Sequence, residues 1–241
     1  MQRQSLLKVF IGYDSREDIA WQVARYSIRR QSSQGVEVYP IRQDAVRELG
    51  LYTRPTDKSA TTEFSLTRFL TPYLAAQSEG WVVFSDCDFL YTADVRNVLD
   101  GLDPSKAVYV VQHDYQPAHA IKMDGKTQTV YPRKNWSSFM VFNCGHPDVK
   151  ALTPDVVNAV TPAYLHRFEW IANDADIGKL DLDWNFLEGE YPKMTDGVPR
   201  VIHFTNGGPW FEQWQDVDYG DLWRKEEALY LATLKPASIA V

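Results

Sequence analysis

Short apolar runs alternate with amphipathic segments along the first ninety residues of the chain. The runs at 8–13, 36–41 and 81–85 have the length and apolar character of buried strands. Apolar residues at helical spacing predict a helix that begins near Ser15 and a second helix over 62–76. This alternation predicts an α/β fold with a mostly parallel, doubly wound central sheet flanked by helices.

The rest of the chain shows a weaker pattern of the same kind. The polar, proline-interrupted stretch at 42–60 predicts a loop, and 113–136 predicts a hairpin or lid. Without an internal repeat or a convincing linker, residues 1–241 are expected to form a single domain. The remaining predicted elements are strands at 107–112, 137–144 and 198–204 and helices at 148–160, 164–171 and 221–234.

The composition, with 44% apolar and 24% charged residues, is that of a globular protein. A net charge of -7 argues against a nucleic-acid partner, which needs a basic surface. Cys87 and Cys144 lie outside any CxxC or Cys/His cluster, which favours a reducing, cytoplasmic location over a disulfide framework. No apolar run approaches the ~20 residues of a membrane span. We therefore expect no transmembrane segment, and peripheral membrane association stays open.

Two carboxylates with one residue between them follow the predicted strand at 81–85. Asp86 and Asp88 should point to the same side, because side chains alternate along an extended chain. Adjacent carboxylates repel each other, and a divalent cation such as Mg²⁺ or Mn²⁺ would relieve that repulsion and bridge to substrate phosphates. The alternative is a solvated Asp-x-Asp turn, since aspartate is common after strands.

Other polar residues are predicted at the same edge of the sheet. Tyr13 and Asp14 follow the first strand, and ligands of doubly wound sheets bind beyond the carboxyl ends of strands. His203 ends the last predicted strand, before a loop with Gly207 and Gly208 whose amides could donate to phosphate. A lone histidine is more often a structural group, but this placement favours a ligand. Two aspartates and a histidine favour Mn²⁺ over Mg²⁺.

Several short motifs follow one another in a defined order. They are Tyr13-Asp14, Thr67-Arg68-Phe69, Phe84-Ser85-Asp86-Cys87-Asp88, Asp174-Ala175-Asp176-Ile177, Asp183-Trp184-Asn185 and His203-Phe204-Thr205-Asn206-Gly207-Gly208-Pro209-Trp210. This ordered set resembles glycosyltransferase family 8, from about residue 8 to residue 210. The resemblance implies a GT-A fold, hexosyltransferase activity with a nucleotide-sugar donor (usually a UDP-sugar), a Mn²⁺ cofactor and retention at the anomeric carbon.

The resemblance also implies roles for individual residues. Asp86, Asp88 and His203 would hold the metal. Arg68, near the pyrophosphate or donor sugar, and Asp174, at the sugar hydroxyls, would act in catalysis. The donor-binding residues that it implies are Tyr13, Asp14, Arg68, Asp86, Gly207 and Gly208. Residues of about 8–112 would form the nucleotide-binding half, and about 113–241 the half that binds acceptor and metal.

Two positions differ from the family's pattern. Ala175 stands where the family often has a glutamine beneath the reacting sugar carbon, and Gly208 stands where a lysine often holds the diphosphate. These differences motivate the alternative of a nucleotide-sugar-binding module with impaired catalysis. Candidates to replace the lysine are Arg68, Lys58, Lys126 and Arg133.

Several assignments stay open at the level of sequence. A phosphatase of the haloacid dehalogenase type also carries Asp-x-Asp at a strand end, but normally on its first strand. The acceptor could be a glycan, a lipid-linked sugar or a small molecule, with Tyr115 and His119 as cleft candidates. The rings of Trp210, Phe211 and Trp214 could form an acceptor platform or pack on the last helix. Asp183-Trp184-Asn185 is interpreted as architectural.

Overall fold

The computed structural model describes residues 6–56, 61–114 and 132–234. The strands are β1 (Leu7–Gly12), β2 (Val36–Ile41), β3 (Trp81–Ser85), β4 (Phe89–Tyr91), β5 (Val108–Val111), β6 (Phe139–Asn143), β7 (Ile177–Leu180), β8 (Phe186–Leu187) and β9 (Val201–His203). The α-helices are α1 (Asp18–Gln31), α2 (Gln43–Glu48), α3 (Thr71–Ala75), α4 (Pro147–Lys150), α5 (Pro154–Ala159), α6 (Pro162–His166) and α7 (Gly220–Leu234).

The main sheet has six strands in the order β2-β1-β3-β6-β5-β7. Every pairing is parallel except those of β6, which runs antiparallel to β3 and to β5. All five residues of β6 are buried, as expected for a strand covered on both faces. The predicted α/β architecture with a mostly parallel central sheet is therefore confirmed. The sheet takes strands from both of the predicted halves of the chain.

A second, three-stranded sheet has the order β4-β9-β8. Strand β9 pairs antiparallel with β4 and parallel with β8, so this sheet is the small additional element with antiparallel pairing that was expected. Helix α7 closes it: Trp223 is buried in the same apolar cluster as Leu90 and Phe204. The guanidinium of Arg30 in α1 donates twice to the Glu226 carboxylate, at 2.6 Å each, and joins the two helices.

Proline explains where two predicted helices were wrong. The segment at 62–76 is not one helix but a 3-10 turn, Thr67–Leu70, followed by α3 with Pro72 in its first turn. A proline is tolerated in a first turn, where its missing N–H has no helical partner, but not in a helix interior. For the same reason the segment at 148–160 divides into α4 and α5, each of which starts with a proline.

Short elements were missed for lack of a periodic signal. The predicted loop at 42–60 contains helix α2, and strands β4, β7 and β8 have two to four residues each. Most of the predicted hairpin at 113–136 lies outside the described residues. Within the three described ranges, no helix combines the length and the apolar character that crossing a bilayer would require.

Candidate functional site

Asp86, Asp88 and His203 lie together where the two sheets meet. Asp86 follows β3, Asp88 precedes β4, and His203 ends β9, opposite Phe89 in the β4–β9 register. The amide of Phe204 donates to the Asp88 carbonyl at 2.9 Å, which extends this pairing by one step. One ligand atom from each of the three side chains lies within 4.8 Å of the others. The predicted trio is thus brought together by the second sheet.

The imidazole of His203 is held in one tautomer by Asn185. The Asn185 amide nitrogen lies 2.9 Å from Ser138 Oγ and 3.4 Å from the Asn135 carbonyl, so its Oδ1 faces His203 Nδ1 at 2.9 Å. Nδ1 must therefore carry the hydrogen, and Nε2 is left to present its lone pair or bind a second proton. Phe89 stacks on the ring with centroids 4.3 Å apart and fixes its plane.

This donor set suits a divalent cation. His203 Nε2 lies 3.3 Å from Asp88 Oδ2, and the buried Asp88 Oδ1 has no hydrogen-bond partner among the described residues. In the neutral ring, a nitrogen lone pair and carboxylate oxygens face one another with no hydrogen between them. A cation or a proton between these atoms would remove the repulsion between their lone pairs. Carboxylate oxygens and an imidazole nitrogen together match Mn²⁺ better than Mg²⁺.

Arg68 lies beside the trio. Its Nη1 forms an ion pair with Asp86 Oδ1 at 2.8 Å, and its guanidinium carbon lies 5.2 Å from the ring centres of both Phe64 and Phe84. The side chain is 7% exposed. Arg68 Nη2 has no hydrogen-bond partner in the described part of the chain. The Nη2 group of a fixed, positively charged guanidinium is thus available to donate to a ligand.

Further acidic groups lie close to the trio. Glu17 is buried next to Cys87, whose thiol lies 3.6 Å from its Oε2. Burial raises the pKa of Glu17 to about 8, and the charges of Asp88 and Asp14 add to this rise. Burial and the same carboxylates raise the pKa of the Cys87 thiol well above its usual value. Burial and the neighbouring carboxylates thus both disfavour a further negative charge on Glu17 or Cys87.

Asp14 is a structural cap rather than an exposed ligand. It is fully buried and accepts hydrogen bonds from the amides of Arg16 and Glu63 and from the Arg16 guanidinium. Burial alone would raise its pKa, but these hydrogen bonds and the Arg16 charge lower it below the usual value. Asp14 caps the turn Ser15–Glu17, so Ser15 does not open the helix as predicted. Its carboxylate is thus engaged within the protein.

Tyr13 is better placed to meet a ligand. It is partly exposed at the end of β1, and its hydroxyl donates to Asp18 Oδ1 at 2.9 Å. The Arg42 guanidinium lies 4.3 Å from the ring centre, and Trp21 meets the ring edge-on. An aromatic face bordered by a cation is compatible with the predicted contact to a nucleotide base.

The glycine loop after β9 is filled by its own tryptophans. A Cβ on Gly208 would lie 2.0 Å from the Trp210 ring, and one on Gly207 would lie 2.5 Å from Trp214. The Gly207 amide donates to the Phe204 carbonyl and is engaged within the loop, and the predicted contact of Gly207 and Gly208 with a phosphate stays a prediction. Trp210 also contacts Trp223 of α7, with centroids 5.1 Å apart, which favours the packing interpretation over an acceptor platform for this ring.

Asp174 lies at the opposite edge of the main sheet. It precedes β7, which runs in the same direction as β3, whereas Asp86 follows β3. The two residues therefore stand at opposite strand ends, three strand positions apart in the sheet order. The Asp174 side chain is 72% exposed and pairs with Arg133 at 2.5 Å. Asp174 is not part of the trio, and its predicted contact with the donor sugar stays a prediction.

Some predicted site residues fall outside the part of the chain that the structure describes. They are Lys58, Tyr115, His119 and Lys126. Arg133 is described, and it donates to the Arg167 carbonyl as well as to Asp174. It is therefore committed to that exposed ion pair.

Sequence reasoning missed residues that act through tertiary contacts. Asn185 was interpreted as part of an architectural motif, yet its side chain orients the His203 imidazole. The architectural interpretation does hold for the buried Trp184, which stacks on Phe139. His113, after β5, lies 2.9 Å from the Tyr191 hydroxyl, and burial and then the nearby His203 lower its pKa to about 3. The position of His113 after a predicted strand was the one signal available.

No model of a known protein family matches the chain. Protein CDI from Arabidopsis thaliana is 49% identical over 226 residues, which are 92% of this chain and 86% of that protein. The chain belongs to the Protein CDI family.

Solved structures show the same fold at low sequence identity. The bifunctional glycosyltransferase WbbM matches 95% of the chain with a TM-score of 0.62 and 17% identity, and the chain spans 50% of WbbM. The galactosyltransferase LgtC, solved with donor and acceptor sugar analogues, matches 92% of the chain with a TM-score of 0.55, 11% identity and 95% coverage of LgtC. The predicted GT-A-type glycosyltransferase fold is thus confirmed, and the match to LgtC is consistent with the resemblance to family 8.

Proposed function

We propose that this chain is a metal-dependent glycosyltransferase that moves a hexosyl group from a UDP-sugar to an acceptor hydroxyl, with retention at the anomeric carbon. The observation that carries the proposal is the convergence of Asp86, Asp88 and His203 within 4.8 Å, with the His203 tautomer set by Asn185. The shared fold with glycosyltransferases supports the reaction class. The acceptor would be a glycan, a lipid-linked sugar or a small molecule.

Cleavage of the donor places negative charge on the departing diphosphate and positive charge on the sugar. Mn²⁺ held by Asp86, Asp88 and His203 would supply Lewis-acid stabilisation of the diphosphate charge. Arg68 Nη2 would direct its N–H groups to the same oxygens, from a guanidinium that needs no reorientation. A preorganised donor of this kind contributes about 3 kcal/mol to the transition state.

The surroundings of the trio support binding of an anionic substrate despite the net charge of -7. The ion pair of Arg68 with Asp86 leaves one edge of the guanidinium available, and Tyr13 with Arg42 offers a flat, positively bordered surface for a base. Both cysteines are buried and unpaired, which supports a cytoplasmic location for the reaction.

A second candidate is a nucleotide-sugar-binding module without turnover. Two observations favour it: the exposed Asp174 pairs with Arg133, and Trp210 occupies the space in which a side chain at position 208 would lie. Both observations concern positions at which the family has residues that act on the bound sugar or diphosphate. Metal and nucleotide binding would remain in this case, whereas transfer would be lost.

The decisive experiment is a thermal-shift screen of UDP-, GDP-, ADP- and CMP-sugars with and without Mn²⁺, followed by chromatographic detection of donor hydrolysis. A ligand that binds only the native state raises its melting temperature by mass action. We expect a UDP-sugar to give the largest shift, and only with Mn²⁺. Asp88→Asn should abolish that shift, and Asp196→Asn, an exposed control, should keep it.

The outcomes separate the candidates. A shift together with slow donor hydrolysis supports the transferase, and a shift without hydrolysis, even with a panel of sugar acceptors, supports the binding module. If no nucleotide-sugar shifts the melting temperature, or if Asp88→Asn leaves the shift intact, the proposal is wrong. Fast phosphate release from p-nitrophenyl phosphate would point instead to the phosphatase alternative.

A further inference from the structure

Two backbone carbonyls from distant parts of the chain hold the Arg68 guanidinium. Nε donates to the Ser65 carbonyl at 3.0 Å, and Nη1 donates to the Ser137 carbonyl at 2.9 Å. Ser65 precedes the 3-10 turn that carries Arg68, and Ser137 lies in the turn that leads into β6. The direction in which Nη2 points therefore depends on keeping these two segments at a fixed separation.

The side chains of the same two serines meet at His166, the last residue of α6. His166 Nδ1 lies 2.9 Å from Ser137 Oγ, and Nε2 lies 3.5 Å from Ser65 Oγ. The edge of the ring contacts Phe69, with centroids 5.3 Å apart. One imidazole thus links both segments that supply the carbonyl acceptors of Arg68.

The charge state of His166 suits this role. Burial, and then the charge of the neighbouring Arg68, lower its pKa to about 3, so the ring is neutral at physiological pH. A neutral imidazole has one donor and one acceptor nitrogen, and each serine hydroxyl can complement either. A protonated ring would add a second positive charge beside the guanidinium. The neutral ring connects the serines without repelling Arg68.

His166 is the residue through which the segment of α6 reaches the surroundings of Arg68. Beyond α6 the chain crosses to the opposite edge of the sheet, where the Ala172 amide donates to Asp148 and the turn with Asp174 begins β7. This region thus presents an imidazole to the two segments that hold Arg68, whereas Asp174 pairs with Arg133.

We propose that His166 is a positioning residue that aims Arg68 at the diphosphate of the donor by linking Ser65 to Ser137. The choice of ligand rests on the proposed function. The ordering of Arg68 by His166 does not depend on the proposed function, and it can be measured on the protein without a ligand.

The first test observes Arg68 without any ligand. In the wild type, the Arg68 Nε–H signal in a ¹H–¹⁵N spectrum should be sharp and protected from exchange, because it is buried and hydrogen-bonded. His166→Phe keeps a ring but removes both nitrogens, and it should speed exchange of this proton by about tenfold or more. His166→Asn keeps a polar group near the Nδ1 position, and it should restore most of the protection. His146→Asn, at the other edge of the sheet, is the control.

The second test uses UDP with Mn²⁺ as the probe, in a double-mutant cycle with Arg68→Met. His166→Phe should weaken binding by about tenfold in the wild-type background, the scale of one charge-assisted hydrogen bond. The same substitution should have no further effect once Arg68 is absent, because its effect passes through that side chain. A merely structural role would give equal losses in both backgrounds.

The results discriminate between the two proposals. Unchanged Nε–H exchange in folded His166→Phe or Ser137→Ala would overturn the positioning role, whatever the protein binds. Loss of protection without any binding of UDP by the wild type would retain the role of His166 and reject the proposed donor. If His166→Phe does not fold, Ser137→Ala and His166→Asn supply the same comparison.

Discussion

His203 Nδ1 donates to Asn185 Oδ1 at 2.9 Å, and both side chains are buried. The amide has no freedom to turn, because its nitrogen faces Ser138 Oγ and the Asn135 carbonyl. Asn185 thus decides which nitrogen of His203 faces the two aspartates.

Asn185→Ala should weaken Mn²⁺ binding by about 10- to 100-fold, as is typical when the partner of a ligating histidine is removed. The buried Nδ1–H also loses its acceptor, which costs about 1–3 kcal/mol of folding stability. Isothermal titration with Mn²⁺ measures the first effect, and urea unfolding in the presence of a chelator measures the second. Asn185→Asp, which keeps an acceptor, should bind Mn²⁺ more tightly than Asn185→Ala, and the reverse order would contradict the assigned tautomer.

Glu17→Gln should change how stability depends on pH. The folded-state pKa of Glu17 is raised to about 8 from an ordinary value of 4.5, so the native state binds this proton more tightly than the unfolded state. Its stabilising contribution is therefore fully present below pH 4.5 and is lost as the pH rises through 8. The variant should be more stable than the wild type at pH 8, with a smaller difference at pH 5.

Urea unfolding at both pH values tests this prediction. Glu79→Gln, an exposed carboxylate at the other end of β3, should follow the wild type. A Glu17→Gln variant that loses as much stability as the wild type between pH 5 and pH 8 would show that Glu17 is not the buried acid responsible.

Arg68→Lys should not preserve the site, although it preserves the charge. A lysine cannot serve the Ser65 and Ser137 carbonyls and Asp86 from one planar group lying against Phe64 and Phe84. We expect a loss of about 1–3 kcal/mol in stability and at least about tenfold in UDP–Mn²⁺ affinity. Calorimetry provides both numbers. The surface substitution Arg29→Lys, on α1, should change neither.

Gly208→Ala should destabilise the protein by about 1–3 kcal/mol, because the added carbon would enter the Trp210 ring. For the same reason Gly208→Lys should lower the melting temperature without improving diphosphate binding. The double variant Gly208→Ala/Trp210→Ala should lose less stability than the sum of the single losses. Additive losses in thermal unfolding would mean that the two side chains do not compete for the same space.

Asp174→Ala should leave donor binding almost unchanged. Its ion pair with Arg133 is largely exposed, and such pairs contribute less than about 1 kcal/mol. The affinity ratio of UDP-glucose to UDP should be the same in the variant and in the wild type, measured by competition with Mn²⁺ present. A selective loss of the sugar nucleotide would restore the sugar-binding role implied by the family motif.

The features that could be predicted from the sequence are those with a local cause. Strand β3 followed by Asp86 and Asp88 was predicted correctly because an apolar run and an alternating pair are visible within ten residues. Its position next to β1 follows from the alternation of strands and helices. His203 was found as a candidate because it ends an apolar strand, another local signal.

The remaining features depend on contacts between distant segments. Nothing in the sequence around Asn185 or His166 indicates that Asn185 holds the His203 imidazole or that His166 lies beside Arg68. The motif that contains Asp174 has the expected residue types, but it is followed by a strand that starts at the far edge of the sheet. The residue types match the family motif, and the path of the chain sets where Asp174 lies.

The β4–β9 register has a consequence for biosynthesis. Phe89 faces His203, although nearly half of the polypeptide is translated between them. A nascent chain that has left the ribosome as far as β6 already carries both aspartates, but neither the imidazole nor the strand that delivers it. Such a long sequence separation also slows formation of the pair after release. Capacity to capture a cation should therefore emerge late in maturation, well after the six-stranded framework has begun to assemble.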